Sequence, residues 1–103
     1  MYRQGDLLIV RAERPDKQPD AVSGDAVLAY GEATGHAHTL SAPEVAVWRG
    51  EDGQVTTVTV RGGDGLLTHP EHETIVLPAE TTWRILRQRE YAVERRAPVL
   101  LQD

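Results

Sequence analysis

The chain has no cysteine, no phenylalanine and a single lysine, Lys17. Without thiols there is no disulfide scaffold, no thiolate zinc site and no cysteine nucleophile. With two tryptophans and three tyrosines as its only aromatics, the chain must build its core from Val, Leu, Ile and Ala. Long apolar runs are missing as well. Residues 7–10 are too few for a signal-peptide core, and nothing approaches the roughly 20 apolar residues of a membrane span. The expected location is the cytoplasm, away from any membrane.

Positive charge is in short supply: 16 acidic residues stand against 11 basic ones, for a net charge of −5. That balance speaks against general nucleic-acid binding, as do Trp48, Trp83 and the three tyrosines, which are too few and too scattered for a base-stacking sheet. Gly62-Gly63-Asp64-Gly65 lacks the Lys-Ser/Thr that would follow in a phosphate-binding loop, and reads as a hairpin turn. Ser23 and Ser41 have no nucleophile-elbow context.

What the chain does have is a succession of short β-like runs, at residues 6–11, 26–30, 36–40, 44–49, 55–61, 66–68, 73–77 and 81–91. Residues 55–61 alternate and are rich in Val and Thr, as a half-buried strand should be. Residues 12–25, polar and Pro-containing, read as a loop. Gly50-Glu51-Asp52-Gly53 reads as a turn, and Pro78-Ala79-Glu80 has hairpin length. In the last run Trp83, Ile85 and Tyr91 share a face, with Trp83 as core; a helix over 80–95 is the alternative there. Seven or eight strands with regular turns predict an all-β fold, a small single-domain barrel or sandwich over residues 1–103. Residues 92–103 form a tail or edge segment that can pack on the barrel or join a homodimer interface.

All four histidines fall in two tight groups, His36-Ala37-His38 and His69-Pro70-Glu71-His72. In a strand, positions i and i+2 project from one face, so two such imidazoles can reach one ion at about 2.0–2.1 Å. Pro70 redirects the chain between its two histidines, and a ligand from a separate strand would complete the site. His36, His38 and His72 are the first choice as ligands, with His69 either a fourth ligand or a base behind them. Three neutral nitrogens leave an open, catalytic position, whereas four close the site. Glu32 and Glu71 are candidates for a carboxylate ligand, a general base or an orienting partner for an imidazole N–H. Nitrogen-rich ligation suits one divalent transition metal: zinc first, with iron, manganese, nickel or copper as alternatives.

Gly31-Glu32-Ala33-Thr34-Gly35-His36-Ala37-His38, followed by His72, resembles the metal-binding layout of the cupins. Those small β-barrels take His-x-His and a glutamate from one motif and a histidine from a second. Here His69-Pro70-Glu71 stands where the cupin pattern has Pro-x-Gly. The resemblance implies a cupin-like barrel with a histidine-bound ion. Tyr2-Arg3-Gln4-Gly5-Asp6-Leu7-Leu8, the 31–38 segment, His69–His72 and Gln88-Arg89-Glu90-Tyr91 together resemble a group of short bacterial and phage proteins of uncharacterised function. That likeness implies that the histidine segments belong together, and it supplies no reaction.

Arg84, Arg87, Arg89, Arg95 and Arg96 crowd the C-terminal stretch. Arg87 and Arg89 share a face in a strand and suit a small acidic substrate, or they pair with acidic residues such as Glu90 and Glu94, or guard a sheet edge. Two functions follow. The first is a metal-dependent enzyme acting on a small molecule, with Glu32 or Glu71 moving protons. The second is a non-enzymatic β-module that binds a protein partner, with a structural metal or none.

Overall fold

The computed structural model describes residues 1–30 and 35–88. The strands are β1 (Tyr2–Gln4), β2 (Leu7–Ala12), β3 (Ala21–Tyr30), β4 (Ala37–Arg49), β5 (Val55–Arg61), β6 (Gly65–His69), β7 (His72–Leu77) and β8 (Thr81–Arg87). The fold is all-β, as expected. All pairings are antiparallel, in the order β1-β2-β8-β5-β4-β6-β7, with β3 on the other edge of β4. No helix among these residues is long and apolar enough to cross a membrane.

The sheet curls into a nearly closed barrel because β4, 13 residues long, changes partner along one edge. Residues 39–41 pair with β6, and residues 44–49 pair with β5. Inside the curl lie Leu7, Ile9, Leu40, Val45, Val47, Val58, Val60, Leu67, Leu77, Trp83 and Ile85. Each such side chain contributes roughly 1.5–3 kcal/mol by leaving water. The two ends of the sheet, β1 and β7, are held together by a side chain. Gln4 Nε2 donates to the carbonyls of Leu67 (3.0 Å) and Glu73 (2.9 Å).

Several expectations are corrected. Residues 36–40 and 44–49 belong to one strand from Ala37, and His36 stands one residue before it. Pro43 does not break β4 because it sits where the strand changes partner, so its missing N–H costs no paired position. The supposed loop 12–25 ends early: Ala21–Ser23 pair with Val45–Val47. Residues 21–25 are all exposed, so no burial pattern marks them. A further strand, β1, precedes the two-residue Gly5-Asp6 turn, with Gly5 at φ +62°.

Neither Gly62–Gly65 nor Pro78–Glu80 closes a hairpin. β8 lies between β2 and β5, and β6 lies between β4 and β7. The two connections instead clasp each other: Glu80 accepts from Gly62 N, and Asp64 accepts from Ala79 N. Thr81–Arg87 is strand, which removes the helix alternative for that part. Residues 89–103, including the proposed tail, and Glu32 lie outside the described residues.

Candidate metal centre

Strand register brings the two histidine groups together at one mouth of the barrel. Thr39 is opposite Thr68, which sets His38 of β4 beside His69 of β6. His69 is in turn opposite His72 of β7, with Pro70-Glu71 as the two-residue turn between them. The ring centroids of His38 and His69 are 4.4 Å apart, those of His69 and His72 4.5 Å, and those of His38 and His72 6.4 Å. His36 adds its ring at 5.8 Å from His69. Imidazoles sharing a tetrahedral ion have centroids about 5 Å apart, since each nitrogen lies about 2.0–2.1 Å from the metal. The rings therefore occupy the right neighbourhood. Among the described residues, however, no three His, Asp or Glu side chains are set to grip an ion as they stand, so holding one would require side-chain rotation.

Gln4 decides the chemistry of His38. Its Nε2 is committed to two carbonyls, which only accept, so its Oε1 must face His38 Nδ1, at 2.8 Å. An amide oxygen accepts, so His38 Nδ1 carries the proton and Nε2 keeps a bare lone pair. This is the tautomer and orienting bond of a metal-bound imidazole. His38 is 2 % exposed, and its pKa falls from 6.5 to about 4. Burial is the main cause, with His69, His72 and Arg87 adding repulsion and Asp6 opposing it. It is neutral at physiological pH.

Gly5 makes room for the cluster. A Cβ there would lie 2.9 Å from His72 Nε2 and 3.5 Å from His38 Cε1, closer to the first than real side chains come. His69 plays a different part. Its Nδ1 accepts from Glu71 N at 3.0 Å, so the neutral ring carries its proton on Nε2 and offers a donor rather than a lone pair. The pKa of His69 is also lowered, by desolvation first and then by His72 and His36, against Glu71 and Asp6. Glu71 Oε1 stands 3.6 Å from His36 Nδ1, the place of an orienting carboxylate.

A family described as a domain of unknown function (DUF8820) matches residues 3–88. The chain belongs to the DUF8820 family. Gln4, Gly5, the four histidines, Glu71 and Arg87 all fall within the DUF8820 match. No curated protein and no solved structure matches the chain.

Sequence reasoning missed Gln4, Gly5 and Asp6 as members of this site. Gln4 is 34 residues from His38 along the chain, and no local pattern marks a glutamine that serves a distant imidazole. The Gly5-Asp6 pair signals a turn; its closeness to His72 is purely tertiary.

Proposed function

We propose that the DUF8820 domain binds one divalent transition metal, zinc first, through His36, His38 and His72, and acts on a small molecule at the remaining open position. The observation that carries this reading is the Gln4–His38 bond, which leaves a bare Nε2 lone pair on a buried, neutral histidine whose ring lies beside those of His69 and His72. The cupin likeness supports the same ligand set, with His36 and His38 as its first pair and His72 as its third member. The ion would act as a Lewis acid on a bound oxygen or carbonyl. His69 Nε2–H would be available as a hydrogen-bond donor, and Glu71 would orient His36 or take up a proton.

A second reading, a β-module for a protein partner, draws on β3, which pairs only with β4 among the described residues and exposes Val22 and Tyr30.

The test is metal content by mass spectrometry on untagged protein purified without chelator, beside a His36→Ala/His38→Ala double variant. Near-stoichiometric metal, lost in a variant whose circular dichroism stays β, is the expected result. No metal in either protein after incubation with zinc, iron(II) or manganese would overturn the proposal.

A further inference from the structure

The turn that joins β1 to β2 carries a carboxylate to the histidine cluster. Gln4 is opposite Leu7, so Gly5 and Asp6 make a two-residue turn, with Gly5 at φ +62°. The turn is held from both sides. Before it, buried Gln4 is bonded to His38 and to the carbonyls of Leu67 and Glu73. After it, Leu7 pairs with Arg87 of β8, and Gln88 N donates to the Asp6 carbonyl at 2.8 Å.

This fixed turn lies against the edges of the rings that an ion would use. A Cβ on Gly5 would stand 2.9 Å from His72 Nε2 and 3.5 Å from His38 Cε1. In an imidazole Cε1 is bonded to Nε2, the atom of His38 that the Gln4 bond leaves without a proton. The backbone immediately before Asp6 therefore touches both rings close to their Nε2 atoms. Asp6 itself is exposed, and its short side chain is free of any core packing. Its charge is felt in the cluster: it raises the pKa of His38 and of His69, against the burial that lowers both. Glu71 comes from a different turn, between β6 and β7, and stands 3.6 Å from His36 Nδ1. The two carboxylates thus flank the row, Glu71 at His36 and Asp6 at His38 and His72.

We propose that Asp6 is the carboxylate ligand of the metal centre, joining the ion beside His38 and His72 and leaving Glu71 to orient His36. This assignment rests on the metal reading. An aspartate on a tight turn can reach an ion by turning its own side chain, with no strand displaced. It also offsets one unit of the charge that neutral imidazoles leave on a divalent ion. Four protein ligands keep a zinc ion open to a small molecule only where it expands to five-coordinate, whereas a six-coordinate ion such as manganese keeps further positions.

The experiment is calorimetric titration of the full chain with zinc, beside the visible spectrum of its cobalt(II) form, for the wild-type protein, Asp6→Asn, Asp6→Glu and Glu71→Gln. Asparagine suits a turn and keeps the carbonyl that accepts from Gln88, so the metal-free Asp6→Asn protein is expected to keep the wild-type urea midpoint. Asp6→Ser, equally suited to a turn, serves should Asp6→Asn not fold. The expected result is zinc affinity at least about tenfold weaker in Asp6→Asn, with shifted cobalt bands, and partial recovery of both in Asp6→Glu. A purely structural role for Asp6 would leave the bands in place. Wild-type affinity and unshifted bands in Asp6→Asn would overturn the proposal and leave the metal reading standing. A band shift in Glu71→Gln alone would overturn it in favour of Glu71. A wild-type protein that takes up neither zinc nor cobalt would overturn both readings.

Discussion

The two halves of β4 are built on opposite principles. Beyond Pro43, Val45, Ala46, Val47 and Trp48 are all buried, so both faces of the strand are covered. Val45 and Val47 enter the barrel, while Trp48 lies under the connection at residues 13–20. There its Nε1 donates to the Lys17 carbonyl at 3.0 Å, and the Arg14 guanidinium sits 5.0 Å from its ring. Before Pro43 only one face is buried, and His38 takes a place that Leu40 shows to be available to an apolar side chain. One half gains stability from burial on both sides. The other gives up part of that gain to hold a polar group with a defined proton.

Cutting into the first half should produce the largest effect. Trp48→Ala is expected to remove about 3–5 kcal/mol, seen as a lower urea midpoint, while the folded fraction still binds zinc at the wild-type ratio. Loss of zinc binding in step with a native-like spectrum would mean that the halves are coupled. The next largest effect belongs to the histidine half. His38 titrates at about 4 when folded and near 6.5 when unfolded. Between those values the unfolded chain holds more protons. The stability of the metal-free protein should therefore be complete above about pH 6.5 and fall, by up to about 3 kcal/mol, as pH drops toward 4. Urea midpoints measured across that window read this directly, and His38→Leu should flatten the slope. Smallest in stability is Gln4→Leu, expected to cost about 1–3 kcal/mol by stranding two carbonyls and the His38 N–H. The sharper readout is zinc affinity by calorimetry, expected to weaken about 10–100-fold as the tautomer loses its support. Unchanged affinity would reduce Gln4 to a barrel stitch.

The legible parts of this molecule were those whose chemistry is local. The turn at Pro70-Glu71 declares a reversal within four residues, and the structure sets His69 opposite His72 and next to His38, whereas His36, expected on the same strand face as His38, stands before β4. Residues 55–61 likewise form a strand, β5, although Val58, Thr59 and Val60 are all buried and its burial does not alternate. Glycine and proline report that a chain bends, without saying which strand it meets next. For that reason Gly62–Gly65 and Pro78–Glu80 have the look of hairpins in the sequence, although each carries the chain past a neighbour. Residues 21–25 escaped notice because strand pairing without burial leaves no hydrophobic mark. Gln4 escaped because its partners, at His38, Leu67 and Glu73, are scattered along the chain and meet only once the sheet has curled.

The Gln4 contact bears on how the molecule breathes. The ladder of backbone bonds runs from β1 round to β7 and, among the described residues, does not join those two strands. Elsewhere, opening the wall means tearing a ladder; here it means releasing the hydrogen bonds of one amide. The N-terminal hairpin thus behaves as a latch, and amides along that seam are expected to exchange with solvent through a local, sub-global opening. Because the latch also holds the His38 proton, each such opening would unmake the histidine row and re-form it on closing.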